Sequence, residues 1–223
     1  MPNPPKSFSW SYTNLTGFEQ CPRRHYLTKV KREVKEPPSA EMTWGRDVHK
    51  ALETRIRGVQ ALPPSLAYIE PLVMKFTSLH GRRLVEEKLA VDRNFKPCDW
   101  FHPQVWCRSV IDLGIVGEDN AVLIDWKTGK HKEDDDQLRL FAAMAFAHFP
   151  YLNRISTAFI WLKDKKMDSN TFLSEDVSNL WKPFMPRVQR MEMAFSKGEW
   201  PAKPSGLCGK WCPVTKAHCE FGR

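Results

Sequence analysis

Val110 to Lys130 reads VIDLGIVGEDNAVLIDWKTGK, and this stretch predicts a β-hairpin. Two apolar runs, Val110–Val116 and Ala121–Trp126, have the length and character of strands. The segment between them, Gly117–Asn120, consists of residues that are typical of turns. The sequence therefore predicts two neighbouring strands joined by a tight connection.

Two aspartates and a lysine stand out in this hairpin. Asp112 and Asp125 each interrupt an apolar run, and burying a bare carboxylate is costly unless a cation or hydrogen-bond donors compensate it. Two such carboxylates on neighbouring strands indicate a divalent metal between them. Lys127 shares a strand face with Asp125, where an ammonium would orient a nucleophilic water or stabilise a pentacovalent phosphate. The alternative is a salt bridge at a strand end without a metal.

The remaining pattern predicts helices that flank a mixed central sheet, which is an α/β core. Helical spacing occurs in four segments: residues 43–57, 65–79, 134–149 and 175–197. Prolines 183 and 186 would delay or kink the last of these helices. Further strands are expected at residues 84–91, 155–162 and 171–173. A short helix capped by Ser11 or Thr13 leads into Cys21.

Composition limits the class of protein. With 223 residues, 42% of them hydrophobic, the chain can bury one sizeable core, so one domain with a small appendage is expected. A formal charge of +8 favours a polyanionic partner such as nucleic acid. No segment reaches the ~18 apolar residues of a membrane helix, and the N-terminus lacks the apolar core of a signal peptide. A cytoplasmic protein is expected, in which clustered cysteines are more often metal ligands than disulfides.

The order of motifs along the chain resembles that of the PD-(D/E)XK nuclease superfamily, and the wording IDWKTGK is similar to its RecB-like branch. The matching elements follow one another over Ser9 to Cys219: Gly45–His49 (GRDVH), Glu86 or Glu87, Asp112, Asp125 with Lys127, and Gln137 with Phe141. Family members have a tyrosine where this chain has Phe141, so the hydroxyl of that residue is missing here. The resemblance implies a restriction-endonuclease-like core.

The same resemblance implies roles for these residues. The catalytic set would be Asp112, Asp125, Lys127, Glu86 and Gln137, and the ligands of Mn²⁺ or Mg²⁺ would be His49, Glu86, Asp112 and Asp125. RecB-like enzymes with such a histidine favour manganese, and an imidazole suits manganese better than magnesium. Glu86 is preferred over Glu87 because it precedes an apolar strand as the family's glutamate does, although Glu87 shares the face of Leu89.

The cysteines form a second group. Cys208, Cys212 and Cys219 lie close together near the C-terminus, and Cys21 stands alone in CPRRHYL near the N-terminus. One distant cysteine followed by a late triplet resembles the iron-sulfur staple of AddB-type and CRISPR-adaptation nucleases. The resemblance implies a four-iron four-sulfur (4Fe-4S) cluster that joins the N- and C-terminal segments. Thiolates also suit zinc, with His25 or His218 as substitute ligands; Cys98 and Cys107 are interpreted as packing residues.

These observations predict a single RecB-like nuclease domain over residues 1–223. It would comprise an N-terminal segment with the first cluster cysteine, a nuclease core and a Cys-rich tail: residues 9–36, 43–197 and 198–223. The expected activity is a Mn²⁺- or Mg²⁺-dependent deoxyribonuclease, an exonuclease of DNA recombination, repair or phage genome metabolism. DNA ends or single strands are the expected partners, with recombination or single-strand-binding proteins and an oligomer as further options. The alternative is a non-catalytic DNA-binding accessory protein that retains the fold and the cluster.

A basic run near the N-terminus adds to the DNA argument. Arg23, Arg24, Lys29, Lys31 and Arg32 are interleaved with His25 and Tyr26. Beside a site that cleaves phosphodiesters, such residues would contact the nucleic-acid backbone without sequence preference. Lys130 and Lys132 continue the positive charge after Lys127. The alternative is that these runs are only solvated faces.

Overall fold

The computed structural model describes residues 8–132 and 134–223. Residues 1–7, which are part of the N-terminus predicted to lack a signal peptide, lie outside these ranges, as does Glu133. The chain divides into two compact units. Ser39–Trp181 forms the central unit, and Met1–Pro38 together with Lys182–Arg223 forms the terminal unit. The terminal unit is therefore built from both ends of the chain.

A five-stranded mixed sheet lies in the central unit. Its strands are β1 (Arg82–Val91), β2 (Cys107–Val116), β3 (Asn120–Lys127), β4 (Arg154–Trp161) and β5 (Lys166–Leu173). They follow one another in space in the same order as in the chain. Strands β3 and β4 are parallel, and the other neighbours are antiparallel. The predicted hairpin is β2 and β3, and the mixed sheet with its helices confirms the predicted α/β class.

Seven α-helices are found in the described residues. They are α1 (Tyr12–Gln20), α2 (Pro22–His25), α3 (Ala40–Ile56), α4 (Glu70–Thr77), α5 (Asp136–His148), α6 (Val177–Trp181) and α7 (Met185–Lys197). Helix α5 connects β3 to β4, because two parallel strands need a crossover between them. No helix within the described ranges is both long enough and apolar enough to cross a membrane.

Three elements differ from their predicted bounds. The helix expected at residues 65–79 begins as a 3₁₀ helix, Pro64–Ile69, and becomes α-helical only at α4, which has a proline in its first turn. The helix expected at 175–197 is divided into α6 and α7, and Pro183 lies in the break. Proline has no backbone N–H to donate, so each proline begins or ends a helix here. Strand β5 is longer than expected because a polar edge strand carries little apolar pattern.

One apolar core of the central unit lies between the sheet and the helices α3 and α4. Val48, Leu52 and Ile56 of α3 pack in one cluster with Leu113 and Ile115 of β2. The same cluster includes residues of α4, β3 and β4: Val73, Phe76, Ile124, Trp126, Ala158 and Ile160. Burial of this face holds α3 against the strands that carry the two aspartates.

The terminal unit joins the two ends of the chain by specific contacts. Helix α1 begins at Ser11, whose hydroxyl accepts a hydrogen bond from the N–H of Asn14 at 3.3 Å. Arg187 of α7 donates two hydrogen bonds of 2.7 Å to the carboxylate of Glu19 in α1. The Trp200 ring stacks on that of Tyr26 with a centroid distance of 5.0 Å. Residues about 170 positions apart are thus neighbours.

The α3 packing predicts a stability difference between two substitutions in one helix. Leu52 is 1% exposed and Met42 is 61% exposed. Leu52→Ala should lower the free energy of unfolding by about 2–5 kcal/mol, because it leaves a cavity in the core. Met42→Ala, as the control, should change it by less than about 0.5 kcal/mol. Thermal and urea unfolding measure both values, and equal effects would contradict the packing of α3 described above.

Candidate active site and cysteine cavity

Three carboxylates lie in one row across three neighbouring strands. The register places Glu86 of β1 opposite Asp112 of β2, and it places Asp112 opposite Asp125 of β3. Neighbouring residues of these strands are paired in the β-ladders, but Glu86 is not paired with Asp112, and Asp112 is not paired with Asp125. Like charges directly opposite each other in a sheet are destabilising, so the row needs compensating groups.

The backbone departs from regular strand geometry at this row. Glu86 has a φ of 51°, in the left-handed region that a non-glycine residue adopts only at a cost. Asp112 Oδ2 accepts a hydrogen bond of 2.8 Å from the backbone N–H of Trp126. A side-chain oxygen therefore takes the place of a backbone acceptor between β2 and β3.

His49 of α3 brings an imidazole to the row. Its Nδ1 lies 3.3 Å from Asp112 Oδ2 and 4.0 Å from Glu86 Oε1. One ligand atom from each of these three residues lies within 4.8 Å of the others, a spacing that fits a single metal ion. Gly45, one turn earlier, makes this approach possible, because a Cβ on Gly45 would lie only 2.9 Å from Thr128 Oγ1.

Asp125, Lys127 and Gln137 form an adjacent group. Lys127 Nζ donates to Gln137 Oε1 at 2.8 Å, and Gln137 Nε2 donates to Asp125 Oδ1 at 3.1 Å. The ammonium of Lys127 also lies 4.5 Å from the centroid of the Phe159 ring. The lysine is thus held from two sides, by an amide of α5 and by an aromatic ring of β4.

Asp125 Oδ2 is compensated by charge rather than by an aligned hydrogen bond. Lys127 Nζ lies 2.7 Å from this buried oxygen as an ion pair, and no group meets the geometry of a hydrogen bond to it. Burial and the charge of Asp112 raise the pKa of Asp125 to about 6, although Lys127 opposes the shift. A divalent cation near Asp112 and Asp125 would reduce the repulsion between the two carboxylates.

The electrostatics of the row change the pKa of its other members. Burial would lower the pKa of His49, but the hydrogen bond and charge of Asp112, with the charges of Asp125 and Glu86, raise it to about 9. Burial and the nearby Asp112 raise the pKa of Glu86. A protonated imidazole therefore balances the carboxylates, and a bound divalent cation would replace that proton.

The structure separates the residues that the sequence grouped together. It brings Glu86 to His49 and Asp112, whereas Glu87 is exposed. Asp125 lies outside the three-residue group with His49 and pairs with Lys127 instead. Phe141 is 2% exposed, in the core rather than at the site.

Sequence reasoning did not find two contributors. Phe159 lies opposite Asp125 only because β3 and β4 pair in parallel, and strand patterns do not specify partners. The close approach of Gly45 to Thr128 is likewise a contact between distant segments. The glycine in GRDVH stood out in the sequence, but the sequence did not show that it allows the close approach to Thr128.

The four cysteines singled out in the sequence lie together in the terminal unit. Cys21, Cys208, Cys212 and Cys219 line one small cavity of about 20 Å³. All four are free thiols. The backbone N–H groups of Lys203 and Ser205 donate to the sulfur atoms of Cys21 and Cys208 at 3.5 and 3.3 Å.

The two candidate substitute ligands and the two other cysteines lie elsewhere. Within the described ranges, neither His25 nor His218 lines the cysteine cavity. His25 is buried, which lowers its pKa to about 4, with the charge of Lys29 adding to the shift, and its ring packs against Trp200. Cys107 is fully buried in β2, and Cys98 is half-buried in the loop before it.

Much of the basic run is engaged within the protein. Arg24 and Lys29 form ion pairs with Glu36, and Lys31 pairs with Glu33. Arg23 donates to the backbone carbonyls of Trp200 and His218 at 2.8 and 3.3 Å. These contacts give the run a structural role in the terminal unit.

The fold is similar to that of a solved structure of another protein. Among solved structures, a candidate exonuclease from Eubacterium rectale matches 90% of this chain and 85% of its own, with 10% identity and a TM-score of 0.54. A second structure, SSO0001, matches 95% of this chain and 86% of its own, with 12% identity and a TM-score of 0.47. No curated protein sequence matches.

The family comparison covers almost the whole chain. The model of the PD-(D/E)XK nuclease superfamily matches residues 9–220, which include the carboxylate row, Lys127 and all four cavity cysteines. The fold agrees, since a mixed sheet carries the aspartate and the Asp-x-Lys pair on adjacent strands. By this match, the chain belongs to the PD-(D/E)XK nuclease superfamily.

Proposed function

We propose that the protein is a divalent-metal-dependent DNA nuclease that hydrolyses phosphodiester bonds as an exonuclease. The observation that carries the proposal is the carboxylate row, in which buried Asp125 forms an ion pair with Lys127 and lies opposite Asp112 on the neighbouring strand. A salt bridge alone would not need Glu86, Asp112 and His49 to converge next to this pair.

The donor set fits a divalent cation. His49, Glu86 and Asp112 would be ligands through one atom each, and Asp125, which lies opposite Asp112 on β3, would be the fourth. A bound cation would supply Lewis-acid chemistry and lower the pKa of a coordinated water. The nitrogen donor His49 favours Mn²⁺ over Mg²⁺, because Mg²⁺ prefers oxygen ligands.

Lys127 and Gln137 would act on the substrate phosphate and the attacking water. The hydrogen bond to Gln137 and the Phe159 ring hold the ammonium near the row. In this position it would orient the water or offset the negative charge that develops on the phosphate. Gln137 would act as a positioning residue, since it contacts both Lys127 and Asp125.

The evidence that favours DNA as the substrate differs from the evidence that favours cleavage at DNA ends. The superfamily is one of nucleases, and the formal charge of +8 favours a polyanion. The similar structure from Eubacterium rectale is named as a candidate exonuclease. From these observations we propose a role in recombination, repair or phage genome metabolism in the cytoplasm. Recombination or single-strand-binding proteins would be its partners, and an oligomer is one option.

The terminal unit would hold a 4Fe-4S cluster. Four free thiols line one cavity, so the chemistry of the donors fits a cluster or zinc. Backbone N–H groups that donate to Cys21 and Cys208 match the hydrogen bonds that tune cluster sulfur ligands. The cluster would tie Cys21 to the C-terminal segment.

The nuclease proposal is tested with Asp125→Asn and with Asp119→Asn, in the turn between β2 and β3, as control. Wild-type protein should degrade end-labelled linear DNA in Mn²⁺ or Mg²⁺ and leave covalently closed circles intact. Asp125→Asn should lose this activity because a metal ligand is gone, and Asp119→Asn should keep it. Metal-dependent cleavage by folded Asp125→Asn at the wild-type rate would refute the assignment.

Stability measurements on the same variants test the metal site without activity. Metal at a hundred times its Kd should stabilise the wild type by about 2.7 kcal/mol and should stabilise Asp125→Asn much less. Folding raises the pKa of Asp125 from 3.8 to about 6. The protonated carboxyl therefore favours the folded state, and this contribution to stability is lost as the pH rises through this range. Without metal at neutral pH, Asp125→Asn should therefore be at least as stable as the wild type.

The metal preference is tested with His49→Ala. Wild-type protein should be more active in Mn²⁺ than in Mg²⁺, and His49→Ala should narrow this difference because it removes the nitrogen donor. Steady-state rates in each metal give the ratio, and His80→Ala, an exposed histidine of the same unit, is the control. If His49→Ala left the ratio of the two rates unchanged, His49 would not be a ligand.

The cluster is tested with Cys21→Ser and with Cys98→Ser, outside the cavity, as control. Protein purified without oxygen should be brown and contain about four irons per chain. Cys21→Ser should lose the colour and expose the C-terminal segment to protease, because the link between the chain ends is lost. Colourless wild-type protein with stoichiometric zinc would replace the cluster with a zinc site. Protein that contains neither iron nor zinc would refute both the cluster and the zinc site.

A further inference from the structure

The loop between β1 and β2 carries an exposed aromatic ring. Phe101 is 84% exposed, more than any other large apolar side chain in the described residues. Single exposed apolar side chains are common on protein surfaces, so the interest of Phe101 lies in the cations around the neighbouring residue of the chain. The ring belongs to the central unit, which also contains the carboxylate row.

Two cations contact Trp100, the residue that precedes Phe101. Lys88 Nζ of β1 and the Arg108 guanidinium of β2 each lie 5.6 Å from the centroid of the Trp100 ring. Arg108 Nε also donates to the backbone carbonyl of Trp100 at 2.8 Å. Both positive charges are thus held one residue along the chain from Phe101, and the arginine restrains the backbone to which the phenylalanine is attached.

The loop is anchored on both sides of this segment. Before it, Phe95 stacks on Trp181 at 4.6 Å, and the N–H of Cys98 donates to the Ala90 carbonyl at 3.0 Å. After it, the N–H of Trp106 donates to the Val91 carbonyl at 2.8 Å. The ring and the two cations are therefore presented by a fixed segment, which reduces the ordering that binding would cost.

The same strands lead from this surface to the carboxylate row. Lys88 is two residues beyond Glu86 on β1, and Arg108 is four residues before Asp112 on β2. At a rise of about 3.4 Å per residue, the two cations lie about 7–14 Å along the strands from the row. Arg108 and Val110 alternate with buried neighbours on β2, so the side of the strand that they occupy is the open one.

We propose that Phe101, Lys88 and Arg108 bind single-stranded DNA next to the cleavage site. Phe101 would stack on an unpaired base, and the two cations would contact flanking phosphates. At the 3.4 Å rise of a duplex strand, 7–14 Å corresponds to about two to four nucleotides, and to fewer in an extended single strand. This inference rests on the proposed nuclease function.

A single strand is the occupant that fits both the ring and the charges. Stacking requires a base whose face is free, and in a duplex the base faces are covered by their neighbours. Stacking on an aromatic side chain also tolerates any base, as an enzyme that degrades DNA from its ends would need. The cations add affinity without sequence preference.

The test compares DNA binding by Phe101→Ala, Lys88→Gln and two controls. Tyr151→Ala, which is 54% exposed, and Arg83→Gln lie at the opposite end of the sheet, as β1 begins at Arg82 and Tyr151 precedes β4. All are made in Asp125→Asn protein with chelator, so that the DNA stays intact. Fluorescence anisotropy measures the Kd of a labelled single-stranded oligonucleotide and of a duplex with blunt ends.

Phe101→Ala should weaken single-strand binding by about 5- to 100-fold and duplex binding by less. Lys88→Gln should reduce the slope of log Kd against log salt by about 0.7, the value for one phosphate contact on a single strand. Neither control should have these effects. Unchanged single-strand binding by Phe101→Ala would overturn the proposal and leave Phe101 as a protein contact.

Cleavage assays separate this outcome from failure of the nuclease function. In an otherwise wild-type protein, Phe101→Ala should raise the KM for single-stranded DNA and leave the rate at saturation nearly unchanged. If the wild type cleaves DNA but Phe101→Ala has a normal KM, the proposed single-strand binding surface is wrong and the nuclease function is supported. If the wild type cleaves no DNA but Phe101→Ala weakens binding as expected, the nuclease is wrong and the binding surface stands.

Discussion

The repulsion among three carboxylates in one row is the constraint on which the rest of the site depends. Glu86, Asp112 and Asp125 lie at the same level of three adjacent strands, and a regular ladder would hold their charges directly opposite one another. The sheet departs from regular pairing at this row, and His49 supplies a positive group. Lys127 pairs with Asp125. Positive charge therefore compensates the row, and a divalent cation would add to this compensation.

The surrounding structure bears the cost of holding this row. The left-handed backbone of Glu86 directs its carboxylate toward His49, and strain of this kind persists only where neighbouring contacts impose it. The packed core beneath α3 supplies such contacts, and Gly45 removes the Cβ that would keep the helix away from Thr128. On the other side, Gln137 and the Phe159 ring restrain Lys127. The site is therefore preorganised by packing rather than by a flexible loop.

The two units use different means to hold distant segments together. In the central unit, the sheet and its apolar core bring the residues of the carboxylate row and Lys127 together. The terminal unit is assembled from the two ends of the chain, and its contacts include the ion pair of Glu19 with Arg187 and the four-cysteine cavity. A small unit with a limited core gains most from such a link, because closing a long loop removes much of the entropy of the unfolded chain.

The sequence by itself determined the α/β class, the hairpin and most of the residues that converge, because hydrophobic periodicity and the order of motifs are local properties. It also indicated Glu86 and the four cysteines, although it left Glu87, zinc and two histidines open. Only the tertiary structure decided that Glu86 rather than Glu87 faces His49, since a left-handed residue alters the direction of a side chain in a way that alternation does not predict. It also decided that Asp125 pairs with Lys127 and Gln137, and that Trp100 contacts two cations. These are contacts between segments far apart in the chain, and such contacts depend on strand pairing and helix packing, which no local pattern specifies.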